Sequence, residues 1–166
     1  MVSINLLVAL KKYNTNYVTK NSTPRNIYFE KLRQGNFKQK YIKNLFKGSG
    51  CYYETDFNTF DCLIVDEAHR LNKKSAIFHG ENQVKEIINA SKVNIFFIDE
   101  DQIVTTKDIG TVDEIKFWAE QLNSKVYEGE DFVLSSQFRC NGSDGYLAFL
   151  DNLLGIKETA NIDLLG

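Results

Sequence analysis

The sequence predicts an α/β domain built on a mainly parallel sheet. Two observations carry this. Phe60–Val65 and Val93–Ile98 are mainly apolar runs, broken only by Asp61 and Asn94 and bounded by polar residues, the pattern of strands buried on both faces. Each is followed by a segment with helical spacing of its apolar residues, so strand alternates with helix as in βαβ units.

The elements are expected in this order. Val2–Leu10 is almost wholly apolar and reads as a helix, with Lys11 and Lys12 suited to its C-terminus. Asn16–Lys20 reads as a short strand. Pro24 opens a helix that stops at Gly35. Residues 36–59 are polar and aromatic and predict a loop with at most one short helix. Phe60–Val65 follows as a buried strand. Glu81–Ser91 sets Val84, Ile87 and Ile88 on one helical face. Val93–Ile98 is the second buried strand. Thr111 and Glu114 form a capping-box pattern ahead of a helix that turns Ile115, Trp118, Ala119 and Leu122 to one side. Phe132–Ser136 is expected as a third strand. Ser143 caps a last helix with Leu147, Leu150 and Leu154 inward and Gly155 at its end.

The 166 residues, 43% hydrophobic and 25% charged, have the composition of an ordinary soluble globular protein. No apolar run approaches the roughly 20 residues of a membrane span, and no secretory leader pattern is present. Cys51, Cys62 and Cys140 are odd in number and lack metal-ligand spacing, so neither a disulfide framework nor a zinc site is suggested. The expected location is the cytoplasm. The charge is unevenly spread. Residues 1–50 hold ten Lys/Arg against Glu30 alone. This segment, interleaved with aromatics, either tracks a nucleic-acid backbone or pairs with the acidic remainder. Lys20, Arg25 and Arg33 are its candidate contacts.

Ligands of open α/β sheets bind beyond the carboxyl ends of the strands. Three polar clusters lie there. Asp66 and Glu67 follow the first buried strand, where one carboxylate can hold Mg²⁺ through its water shell and the other can activate water. Asp99, Glu100, Asp101 and Gln102 follow the second. An amide at Gln102 can accept from an attacking water and donate to a phosphate oxygen. Arg139 follows the third and can meet charge that develops on a transferring phosphoryl group. Taken singly, each cluster is also an ordinary solvated strand end.

"LIVDEAHRLN", "FFIDEDQIV" and "LSSQFRCNGSDGYLAFLDNLL" together resemble the motor core of superfamily 1 DNA/RNA helicases, and most closely the Schlafen group 3-like helicase-type domain family. The likeness extends over nearly the whole chain, including "NLFKGSG" and "GENQVKEIINA". It implies a RecA-like P-loop NTPase fold, with the sheet sandwiched by helices, and ATP hydrolysis with Mg²⁺ coupled to nucleic-acid remodelling. By position, Asp66 is implied as the Mg²⁺ ligand, Glu67 as the water-activating base, Gln102 as the γ-phosphate sensor and Arg139 as its neutralising charge. Gln137 and Phe138 stand where that family contacts the nucleotide, Phe138 as a stacking residue. His69 is either a coupling residue or a satisfied structural histidine.

A phosphate cradle of the form G-x-x-x-x-G-K-[ST] is not among these residues, since no Gly-Lys pair occurs in them. "KGSG" at Lys47–Gly50 has the order reversed. The expectation is therefore a single partial domain over 1–166, lacking the first strand, the phosphate loop and a second motor domain. The chain alone is then inactive as an ATPase. The alternative is a non-enzymatic nucleic-acid-binding or interaction module that kept the fold.

Overall fold

A computed structural model of the chain describes residues 2–22, 25–26, 30, 42, 44–74 and 79–134. It is an α/β structure in which every strand of a four-stranded sheet runs parallel to its neighbours. The chain forms two compact units, Met1–Val126 and Tyr127–Gly166. The sheet belongs to the first.

Helix α1 is Val2–Ala9, β1 is Thr15–Val18, β2 is Phe46–Lys47 and β3 is Phe60–Val65. Then come helix α2 at Gln83–Ala90, β4 at Ser91–Phe96 and helix α3 at Val112–Gln121. The spatial order of strands is β2-β1-β3-β4. Strand β3 is central because its side chains suit burial on both faces. Leu63 and Val65 enter a core with Val18, Val84, Ile87, Ile88 and Ala119. Cys62 and Ile64 point the other way, into a core with Leu7, Tyr17, Ile42 and Phe46. The period-two alternation of a strand thus feeds two separate cores. Helices α2 and α3 cover one face and α1 the other.

The helix starts follow local chemistry. Asn82 Oδ1 accepts from the N–H of Val84 at 3.0 Å and of Lys85 at 3.2 Å, satisfying donors that the first turn of α2 leaves free. Its Nδ2 donates to Glu114 Oε1 at 2.7 Å, which ties α2 to α3. Thr111 Oγ1 accepts from Glu114 N–H at 3.1 Å, as its position predicts. The Glu114 carboxylate does not complete a capping box, because it accepts from Asn82 and from Trp118 Nε1 at 2.9 Å instead. Asn82→Ala removes both the cap and the link. It is expected to destabilise the fold by about 1–2 kcal/mol, read as a lower denaturation midpoint with an unchanged m-value.

Three expectations change. Phe46–Lys47 is a strand within the span expected to be a loop, recruited by parallel pairing of Tyr17 with Phe46 and Val18 with Lys47. Strand β4 is not buried on both faces: Lys92 and Val93 are exposed, and it ends the sheet, with no strand beyond it among the described residues. The third expected strand does not form over its described part. Glu130–Phe132 is a 3₁₀ turn, and Phe132, Val133 and Leu134 are exposed at 67%, 66% and 62%. An apolar run becomes a strand only where a neighbour supplies hydrogen bonds and cover. Helix α1, apolar on every side, is buried at Ser3 and Leu7 but leaves Val2 and Val8 exposed. Ser22, Arg25, Asn26 and Glu30 are helical. The remainder of the expected 24–35 helix, Arg33 with it, and the expected helix after Ser143 lie outside the described residues.

Candidate functional site

Parallel pairing brings three strand ends to one edge. Val18 lies beside Val65, and Val65 beside Phe96. The ladder continues one step past β3, where Asp66 N–H donates to Val18 O at 2.9 Å and Phe97 N–H donates to Val65 O at 2.8 Å. The chain then reverses sharply. Glu67 takes left-handed backbone angles, φ 52° and ψ 49°, and Ala68–Arg70 form a 3₁₀ turn. Ala68 N–H donates to Phe97 O at 2.9 Å and Arg70 N–H to Glu67 O at 2.9 Å. The described residues with positive φ are Asn58, Glu67, Asn123 and Gly129. Asn and Gly are the residues that adopt such angles cheaply, whereas for Glu the cost is roughly 1–2 kcal/mol. The turn is therefore held from outside.

Neutral donors aim both carboxylates. The fully buried Tyr17 donates its hydroxyl hydrogen to Asp66 Oδ2, and Asn21 Nδ2 donates to Glu67 Oε2. Asp66 and Glu67 are half-buried, and neither forms an ion pair with a lysine or arginine among the described residues. Among the described residues, charge at this edge is directed without being neutralised. No group of three or more His, Cys, Asp or Glu is arranged to hold a metal among the described residues. A divalent cation here would rest on Asp66, water and phosphate oxygens, the coordination that Mg²⁺ favours. The donor set fits that ion.

The turn after β4 joins the same region. His69 is buried, and its Nδ1 accepts from Asp99 N–H at 3.4 Å. Gln102, exposed in the 3₁₀ turn Glu100–Gln102, donates from Nε2 to Asp99 Oδ2 at 2.6 Å. A hydrogen-bonded path thus runs from the turn after β3 through Asp99 to Gln102.

Buried Asp108 meets two cations that flank the turn. Its side chain has no solvent exposure, and it meets Lys20 Nζ at 3.2 Å and Arg70 Nε at 3.3 Å. The Lys20 contact is a hydrogen bond, whereas Arg70 approaches as a charge without hydrogen-bond alignment. Burial acts to raise the Asp108 carboxyl, but the Lys20 hydrogen bond and charge, a Thr105 hydrogen bond and the Arg70 charge outweigh it and hold it below the ordinary range.

Of the residues singled out from sequence, the structure gathers Asp66, Glu67, His69 and Gln102 around the ends of β3 and β4. Lys20, a candidate nucleic-acid contact, pairs with buried Asp108 while its side chain stays partly exposed. Arg25 is half-buried; its Nε donates to Asn21 O at 3.2 Å, and its guanidinium lies over Gly48. Gln137, Phe138 and Arg139 lie outside the described residues. Tyr17, Asn21 and Asp108 were not foreseen. Tyr17 and Asn21 had one available signal, a polar group at and just after the end of a strand expected to lie in a parallel sheet.

Comparison with curated proteins and with solved structures gives no match. A family model described as Schlafen group 3, DNA/RNA helicase domain, matches residues 1–165. With that match covering nearly every residue, and an all-parallel sheet that carries its acidic pair at the central strand end, the chain belongs to the Schlafen group 3 DNA/RNA helicase domain family.

Proposed function

We propose that this domain supplies the metal-binding and water-activating half of an ATPase site that drives nucleic-acid remodelling. The observation that carries it is the Asp66–Glu67 pair at the carboxyl end of β3, each carboxylate aimed by a neutral donor and without a cationic partner among the described residues. ATP with Mg²⁺ supplies the phosphoryl group and a counter-charge for its transfer. Asp66 holds the cation, and Glu67 orients and deprotonates the attacking water. Gln102 answers to the γ-phosphate through its place at the end of β4, and His69 links it to the β3 turn through Asp99. Arg139 supplies fixed positive charge, while Gln137 and Phe138 contact the nucleotide. The phosphate cradle comes from residues other than these, because no Gly-Lys pair occurs among the 166.

The nucleic-acid surface is the basic segment, with Arg25 and Arg33 as contacts and Lys20 in a lesser part. Binding by this segment alone is the second reading, favoured by its ten basic residues against a single acidic one. Two measurements separate them. A protein joining these residues to a phosphate loop is assayed for Mg²⁺-dependent ATP hydrolysis with and without single-stranded DNA or RNA. Hydrolysis stimulated by nucleic acid supports the ATPase. Absence of hydrolysis with intact nucleic-acid binding leaves the binding module. Arg25→Ala is expected to weaken oligonucleotide binding and to make the log–log salt dependence shallower by about one unit. An unchanged slope would remove Arg25 from that surface.

A further inference from the structure

We propose that Asp108 is a positioning residue that keeps the acidic turn in working shape, acting through Lys20 and Arg70. The inference rests on the nucleotide reading of Asp66 and Glu67 and adds to it a residue remote in sequence.

Lys20 and Arg70 stand at the two approaches to Glu67. Lys20 immediately precedes Asn21, which donates to the Glu67 carboxylate. Arg70 ends the 3₁₀ turn that follows Glu67, and its own N–H returns to Glu67 O. A single carboxylate with no solvent exposure binds both cations, whose side chains are 33% and 28% exposed. A buried charge is tolerated only when it is paired. The 105–110 loop therefore seats properly only when the exit of β1 and the turn after β3 are both in place.

The backbone reinforces the side chains. Ile109 N–H donates to Leu71 O at 2.7 Å, and Asn72 bridges to Asp108. Gly110 presses on the turn so closely that a Cβ there would lie 1.7 Å from Ala68 O. An unfavourable backbone such as that of Glu67 persists where its surroundings over-determine it. The Phe97 carbonyl holds one side of this turn, and the Asp108 loop holds the other.

Hydrogen exchange on the protein tests the idea without reference to turnover. Asp108→Asn keeps an acceptor for Lys20 and removes the charge. The amides of Ala68, Arg70, Leu71 and Ile109 should then exchange at least about tenfold faster, with those of Leu63, Ile64, Ile87 and Ile88 within about twofold of the parent. Changes within about twofold at the turn overturn the proposal, and so does equal acceleration in β3 and α2, which marks a general loss of stability. If Asp108→Asn does not fold, Arg70→Gln, which leaves the Lys20 pair intact, is judged on the same amides. Mn²⁺ added as a paramagnetic probe gives the second readout. Broadening at Asp66 that weakens in Asp108→Asn at unchanged melting temperature supports a positioning role, and undiminished broadening opposes it. Absence of broadening in the parent counts against the nucleotide reading, while the exchange rates still decide the role of Asp108.

Discussion

On the proposed function, Glu67→Gln is expected to lower kcat by about 10²–10⁴-fold, with KM for ATP changed far less, in a protein that joins this domain to a phosphate loop. The substitution is nearly isosteric. Its amide oxygen can still accept from Asn21 Nδ2, the partner that Glu67 Oε2 has now. Neither the left-handed turn nor the Tyr17 contact to Asp66 is disturbed. What the proposed role would lose is the capacity to take a proton from water as it attacks, a contribution made in the transition state and hardly at all in the ground state. The loss therefore falls on kcat. Steady-state kinetics at saturating Mg²⁺ measures it. A kcat within about twofold of the parent would show that another group activates water, and the assignment of the β3 strand end would fail.

Gly110→Ala should lower stability by about 2–3 kcal/mol, equivalent to a melting temperature lower by roughly 5–10 °C. The added Cβ would sit 1.7 Å from Ala68 O, 2.6 Å from Ala68 C and 3.2 Å from His69 Cα. All three are backbone atoms, so no flexible side-chain end can swing aside. Relief requires moving either the 108–110 loop or the turn that carries His69. Movement of the loop strains the Ile109-to-Leu71 hydrogen bond and both Asp108 ion pairs. Thermal unfolding followed by circular dichroism checks this, and an unchanged midpoint would mean that the loop stands further from the turn than the structure has it.

The parts legible in the sequence were those whose determinants are local. The apolar run of β3, the 3.6-residue spacing in α2 and α3 and the Thr111 cap depend on neighbours a few positions away, and each formed where expected. Strand β2 was not legible because two residues carry no periodicity, and it is a strand only by virtue of lying beside β1. The exposed face of β4 had the same origin, since burial depends on what lies beyond the edge of the sheet. At the site, the acidic residues and Gln102 announced themselves as polar clusters after apolar runs. Their supports did not. Tyr17 and Asp66 are 49 positions apart, Asn21 and Glu67 are 46 apart, and Lys20 and Asp108 are 88 apart. Only strand order and register bring such pairs together.

The left-handed backbone at Glu67 sets two demands against each other at one position. Conformation alone would favour glycine or asparagine there, as at Asn58, Asn123 and Gly129. The proposed chemistry needs a longer carboxylate. A library of variants sorted only for heat resistance should therefore drift toward small, permissive residues at position 67, gaining robustness as it discards reactivity. Engineering this domain for durability calls for that codon to be locked, with improvement sought on surfaces remote from the turn.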